Sequence, residues 1–222
     1  LNWAAKTITS SSATWQVLGQ QVLMGKLFLP AELLVANANA EAGKISRAQV
    51  LTLQTELTQL KSRLLQGDTS LSAIDLERIK TLIPYNLDAW DGYFAEREML
   101  YDSLRDKKVV VFAGDTHNAW SFNLKDETGA HFGIEVGTPG ITSPGLETYI
   151  PVNPKVIEEA FRDSSPELSY FDASRRGWAE VILSNESAVS RWHFVDEILD
   201  KDYSVTRTEP LVCLRGSRQF NT

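Results

Sequence analysis

The sequence contains one cysteine, no long apolar run and no cluster of basic residues, and each absence excludes a class of protein. Cys213 has no second cysteine to pair with and stands in an apolar stretch, so we interpret it as a core residue. No apolar segment approaches the roughly 18 residues that cross a bilayer. The net charge of -7, without a run of Lys or Arg, argues against a nucleic-acid-binding surface.

The first residues also lack an initiator methionine and the basic, apolar and small-residue succession of a signal peptide. We therefore expect the chain to be a piece of a longer protein. Its 222 residues, 43% of them hydrophobic, suffice for one large domain or two small ones with a buried core.

Aromatic residues and proline are absent from residues 31–80, and this stretch has helical periodicity. Its apolar residues recur at alternating intervals of three and four, as in Val50, Leu53, Leu57, Leu60 and Leu64. Gly43 and Gly67 divide it into shorter pieces. The pattern predicts a helical segment at about residues 31–82, packed as a lobe on a larger body.

The rest of the chain is richer in strand patterns. Residues 109–112 form a continuous run of Val and Phe that is typical of a buried strand. Other strands are predicted within residues 14–24 and at 120–124, 132–136, 178–183, 189–194 and 205–214, with helices at 95–104 and 154–162.

Asp115 and His117 come directly after the predicted buried strand, in the sequence Gly-Asp-Thr-His-Asn. Ligands of open α/β sheets bind beyond the carboxyl ends of the strands. Carboxylate oxygens suit hard cations such as Ca²⁺, and imidazole suits iron, zinc or manganese. The spacing allows both side chains to share a metal ion, although Gly-Asp after a strand is also an ordinary turn.

Five motifs in a fixed order resemble the alkaline phosphatase D-like (PhoD-like) metallophosphoesterases. They are WQVLGQQ at 15–21, WDGY and AER at 90–97, GDTHNAW at 114–120, EVGTPGITSPG at 135–145 and RRGW at 175–178. The resemblance implies an α/β fold, the calcineurin-like two-sheet sandwich, with residues 1–222 as its carboxyl-terminal part and residues 31–82 as a helical insertion.

The resemblance also implies a function and a cofactor. Asp115 and His117 match the late ligands of a multinuclear centre that this family associates with iron and calcium. Such a centre activates water for attack on a phosphate ester. The earlier family loops, with an Asp-x-x-Tyr element, an Asn and a His-Glu pair, have no counterpart here. We expect a missing amino-terminal half of the same protein to carry them, and a periplasmic or extracellular location.

Two further residues are candidates for substrate binding. Asp91, in the WDGY motif, is placed to accept a hydrogen bond at the substrate entrance, although the motif also suits a turn anchored by two aromatic rings. Arg176 carries a guanidinium group that fits phosphate oxygens, although it also suits a surface ion pair. His131 and His193 lie within predicted strands and are interpreted as structural.

We therefore expect metal-dependent hydrolysis of phosphate esters, with the alternative of a non-catalytic scaffold or partner-binding module. The sequence does not separate phosphomonoesters from phosphodiesters. It identifies neither the residue that performs catalysis nor the oligomeric state. No Gly-x-Ser-x-Gly elbow supports a covalent serine nucleophile.

Overall fold

The computed structural model describes residues 2–149 and 153–221 and has seven α-helices, one 3₁₀ helix at Trp90–Gly92 and eleven strands in that part of the chain. The helices are α1 Asn2–Ser10, α2 Ala31–Glu41, α3 Arg47–Leu65, α4 Ala73–Lys80, α5 Phe94–Leu104, α6 Leu146–Tyr149 and α7 Pro154–Ser164. The strands are β1 Gln16–Gly19, β2 Phe28–Pro30, β3 Leu82–Pro84, β4 Val109–Ala113, β5 Ala119–Lys125, β6 His131–Gly137, β7 Leu168–Asp172, β8 Arg176–Leu183, β9 Ser187–Val195, β10 Val205–Arg207 and β11 Leu211–Leu214.

A mixed sheet of five strands forms the centre, in the order β1-β4-β6-β5-β7. β4 pairs in parallel with β1 on one side and with β6 on the other. Val109, Val110 and Val111 are at most 1% exposed, which confirms the predicted buried strand. Since both faces of β4 are covered, every position favours an apolar side chain. The strand therefore lacks the alternation of apolar and polar residues that a half-exposed strand has.

A second, antiparallel sheet covers one face of the first. β9 pairs with β8 along one edge and with β10 and β11 along the other. Between the sheets, a core that includes Val110, Ile134 and Val136 packs with Trp192 and Cys213. The structure thus has the expected two-sheet α/β sandwich, with Cys213 in its core.

The other face of the central sheet is covered by helices. The predicted helical segment forms α2, α3 and α4, and Gly43 and Gly67 adopt φ angles of 70° and 80° where it is interrupted. Side chains of Ser46 and Ser72 cap the next two helices. None of the helices in the described ranges is long and apolar enough to cross a membrane.

Some predicted boundaries were wrong. The strand expected within residues 14–24 ends at Gly19. Further along this segment, Met24 and Gly25 donate their backbone N–H groups to the Glu135 carboxylate of β6 and not to a neighbouring strand. The strand expected at 205–214 is two strands separated at residues 208–210, where Pro210 has no N–H for a ladder. The short strands β2 and β3, and β7, were not predicted.

We predict that Gly25→Ala destabilises the intact protein by about 1 to 3 kcal/mol, the usual cost of overpacking a core. A Cβ atom at this position overlaps the ring of Phe122, which is fully buried on β5. The matched substitution Gly19→Ala meets no atom within 4 Å and is expected to change stability by less than about 0.5 kcal/mol. Urea unfolding followed by tryptophan fluorescence compares the two, and equal midpoints would contradict this packing.

Candidate functional site

The loop after β4 carries the two predicted metal ligands. β4 ends at Ala113, and the backbone N–H groups of Gly114 and Asp115 then donate to the carbonyl oxygen of Gln21, at 3.1 and 2.8 Å. Gln21 belongs to the segment that follows β1, the parallel neighbour of β4. The loop therefore lies where two parallel strands end, the edge of a sheet at which ligands bind.

His117 has an unusual backbone and a defined ring orientation. Its φ angle of 59° is the only positive value among the non-glycine residues of the described ranges. Its Nδ1 atom lies 2.8 Å from the carbonyl oxygen of Pro144. Because a carbonyl oxygen only accepts hydrogen bonds, Nδ1 carries the proton. With the proton on Nδ1, the neutral form of the ring has its lone pair on Nε2.

That lone pair lies close to the Asp115 carboxylate. The Nε2 atom of His117 is 3.7 Å from Oδ1 of Asp115, and the two side chains are 38% and 66% exposed. Bonds from zinc to such atoms are about 2.0 to 2.2 Å long and bonds from calcium to oxygen about 2.3 to 2.6 Å, so two atoms at this separation can share one cation. Histidines that bind a metal through one ring nitrogen commonly donate a hydrogen bond from the other, as His117 Nδ1 does to the Pro144 carbonyl oxygen. This pair of residues therefore fits a metal ion.

Asp115 and His117 have no third potential metal ligand beside them among the described residues. Within residues 2–149 and 153–221, no group of three or more His, Cys, Asp or Glu residues is placed to hold an ion. Asn118, the next residue, is fully buried and its Oδ1 atom accepts a hydrogen bond from the N–H of Leu146 at 3.1 Å. Asn118 thus anchors a neighbouring loop in this structure.

A cavity of about 190 Å³ opens beside Asp115. Its walls come from the segment after β1, the segment before α5 and the loop after β4. The lining residues are Val22, Leu23, Gly25, Leu27, Tyr85, Asn86, Ala89, Asp91, Asp115, Thr116, Trp120 and Leu146. Small-molecule sites have apolar walls with a few polar groups, as here, but they are commonly larger, at about 300 to 1,000 Å³.

Asp91 lies at this cavity and has two partners inside the protein. Its Oδ1 atom is 2.6 Å from Nη1 of Arg97, and its Oδ2 atom accepts the N–H of Leu27 at 3.2 Å. Burial raises the pKa of the Asp91 carboxyl, and the hydrogen bond from Arg97 opposes that rise. These contacts give Asp91 a structural role, and its contact with substrate stays a prediction.

Sequence reasoning missed a buried carboxylate that holds the cavity wall. Glu135 on β6 is fully buried and accepts the N–H groups of Met24 and Gly25 at 2.7 and 2.8 Å. Burial raises the pKa of Glu135 to about 7, and the two backbone donors oppose that rise. The available signal was an acidic residue inside an otherwise apolar strand.

A second buried carboxylate lies nearby. Glu167 is 7% exposed, and its Oε1 atom is 3.7 Å from Nζ of Lys26, which also pairs with Glu98 at 2.9 Å. Burial raises the pKa of Glu167 to about 7, and the charges of Lys26 and Arg97 oppose that rise. Lys26, in the segment between β1 and β2, therefore contacts one carboxylate on α5 and one in the residue before β7.

Arg176, the second predicted substrate contact, stands at the start of β8 and is 8% exposed. Its Nη2 atom donates to Glu147, in the loop region that holds His117, and its Nη1 atom donates to the carbonyl oxygen of Ser174 at 3.0 Å. The guanidinium group is thus engaged by protein atoms, and its contact with phosphate stays a prediction.

Comparison with known proteins agrees with the fold and with the motifs. A family model described as PhoD-like phosphatase matches residues 1–192. Alkaline phosphatase D of Bacillus subtilis (strain 168) is 40% identical over 68 residues, which are 28% of this chain and 12% of that protein. A solved structure of PhoD matches 100% of this chain and 34% of its own, with a TM-score of 0.63 and 18% identity. This likeness confirms the predicted fold class, while the chain spans only part of these relatives.

We predict that Glu167→Gln changes the free energy of unfolding of the intact protein more favourably at pH 8 than at pH 5. With a pKa of about 7 in the folded state and 4.5 ordinarily, wild-type Glu167 binds more protons when folded, so its contribution to stability falls as pH rises through this window. One pKa unit corresponds to about 1.4 kcal/mol, so we expect a relative gain on the order of 1 to 3 kcal/mol.

The control is Glu186→Gln, which alters an exposed carboxylate in the turn between β8 and β9. Its effect on the free energy of unfolding is expected to be the same at both pH values. A Glu167→Gln effect that is equally independent of pH would contradict the environment described for Glu167.

Proposed function

We propose a function from one premise: the chain belongs to the PhoD-like phosphatase family. On that premise, the protein hydrolyses phosphate esters at a metal site to which this chain contributes Asp115 and His117. The observation that carries the proposal is the pair itself. A carboxylate oxygen and an imidazole lone pair, 3.7 Å apart, lie at the carboxyl end of the central strand beside a cavity.

Each side chain has a defined task in this site. Asp115 would hold a cation through a carboxylate oxygen and His117 through Nε2, while the Pro144 carbonyl keeps the ring oriented. Such a cation would supply Lewis-acid activation of water and positive charge for the phosphate. Calcium suits the carboxylate and iron suits the imidazole. The choice of calcium and iron rests on the family resemblance.

The remaining ligands belong, in this proposal, to an amino-terminal half of the same protein. Support comes from coverage, because the chain corresponds to 34% of the solved relative. The described residues, moreover, bring only two ligands together. A periplasmic or extracellular location rests on the resemblance alone.

The alternative function is a non-catalytic scaffold or partner-binding module. The incomplete ligand set of the described residues favours it, and so does the helical lobe, which has no assigned part in hydrolysis. In that case the Asp115 and His117 side chains affect local stability only. Metal-dependent turnover separates the two functions.

We predict that Asp115→Asn lowers kcat/KM of the intact protein for chromogenic phosphate esters by about 100-fold or more. Metal stabilisation of a phosphoryl transition state is worth several kcal/mol, and about 1.4 kcal/mol corresponds to a factor of ten. Hydrolysis of a phosphomonoester and a phosphodiester is measured with calcium, manganese or iron added singly.

The control is Asp106→Asn, which removes the same charge from an exposed carboxylate before β4, at the opposite end of the strand from Asp115. It is expected to retain wild-type kcat/KM. Equal turnover in wild type and Asp115→Asn would remove Asp115 from the mechanism, and no turnover with any metal would favour the scaffold.

A further inference from the structure

The orientation of the His117 ring depends on a loop that does not belong to the metal-binding motif. Residues 138–145 connect β6 to α6, and Pro144 within this loop accepts the Nδ1 hydrogen of His117. A proline carbonyl is a fixed acceptor only if its loop is fixed. What holds residues 144–147 in place therefore determines which nitrogen of His117 faces Asp115.

The side chains of Asn118, Glu147 and Arg176 form the hydrogen bonds that fix this loop. Asn118 accepts the N–H of Leu146 at 3.1 Å. Glu147 accepts the N–H of Gly145 at 3.3 Å through the same oxygen that receives Nη2 of Arg176. The Arg176 and Glu147 side chains are 8% and 25% exposed. A charge-assisted contact that is so poorly solvated is stronger and more directional than a surface ion pair.

The start of β8 is attached to the loop at two other points. The N–H of Gly177 donates to the carbonyl oxygen of Gly140 at 3.2 Å, and the N–H of Ala179 donates to Oγ1 of Thr138 at 3.0 Å. Arg176 thus reaches Glu147 from a strand that is itself joined to the loop. The strand provides a rigid base for the contact.

Gly145 shows how closely these groups surround the loop. A Cβ atom there lies 2.7 Å from Nδ2 of Asn118, 2.7 Å from Oε2 of Glu147 and 3.0 Å from Nη1 of Arg176. Only a glycine leaves room for the three polar groups to converge.

We infer that Arg176 and Glu147 are positioning residues, which fix residues 144–147 so that Pro144 selects the Nδ1-protonated tautomer of His117. This goes beyond ligand identity, and it rests on the proposed function in that Nε2 is the nitrogen offered to the cation. A neutral imidazole without this acceptor exchanges between two tautomers. Arg176 then acts through Glu147 and does not need to touch the phosphate.

The test is the tautomer of His117 in the intact, metal-free protein, read from the ¹⁵N chemical shifts of its histidine rings at pH 8.5, above the ordinary titration range of imidazole. Wild type is expected to show a proton on Nδ1 alone. Glu147→Gln and Arg176→Gln are expected to show a mixture of the two His117 tautomers. Arg176→Lys, which keeps the charge, is expected to retain most of the Nδ1-protonated form.

A matched control and an internal check accompany these variants. Arg105→Gln breaks ion pairs with Asp102 and Asp126 at the far end of β4 and is expected to leave His117 unchanged. The signals of His131 and His193 report whether the fold is intact. If Arg176→Gln alters the His131 and His193 signals, its His117 tautomer is not interpretable. The isosteric Glu147→Gln variant then provides the test of the inference.

Mn²⁺ titration gives a second readout, because changes behind a ligand typically weaken metal binding by about 10- to 100-fold. Folded variants that keep the wild-type tautomer would overturn the inference, and a raised KM with an unchanged tautomer would make Arg176 a direct substrate contact. Because the tautomer is measured without metal or substrate, it decides the matter even if the protein hydrolyses no ester.

Discussion

The Glu135 carboxylate joins the central sheet to the segments that surround the site. It receives two backbone N–H groups of the segment between β1 and β2, and the Met24 carbonyl in that segment accepts a hydrogen bond from Tyr101 on α5 at 2.8 Å. Removing the carboxylate leaves two buried donors unpaired, and each costs about 1 to 3 kcal/mol. The position of the cavity wall, and hence the space beside Asp115, follows from this contact.

Parallel pairing supplies the second constraint. β1, β4 and β6 all end at the same edge of the sheet, so the loops that follow them meet there. The Gln21 carbonyl after β1 holds the N–H of Asp115, and the Ala113 carbonyl of β4 accepts the N–H of Thr138 after β6 at 2.9 Å. The loop after β6 then provides Pro144 for His117. One sheet edge thus gathers Asp115, His117, the carbonyl that orients the His117 ring and a cavity.

Local patterns in the sequence predicted those parts of the fold that local patterns determine. The run of Val109 to Val111 indicates a buried strand because both faces of β4 are covered, and the helical lobe follows from its periodicity. Asp115 and His117 were placed correctly after β4 because they are close in sequence. Local patterns could not predict two contacts, Pro144 with His117 and Met24 with Glu135. The members of these pairs are 27 and 111 positions apart in the sequence.

We propose that Asp115 and Nε2 of His117 bind one cation, whose other ligands come from the rest of the protein. Anomalous diffraction from crystals of the intact protein grown with Mn²⁺, which accepts carboxylate and imidazole ligands, tests it most directly. We expect a peak within about 2.0 to 2.4 Å of both the Asp115 carboxylate and Nε2 of His117. A peak bonded to neither residue, or a His117 ring turned to bind through Nδ1, would contradict it.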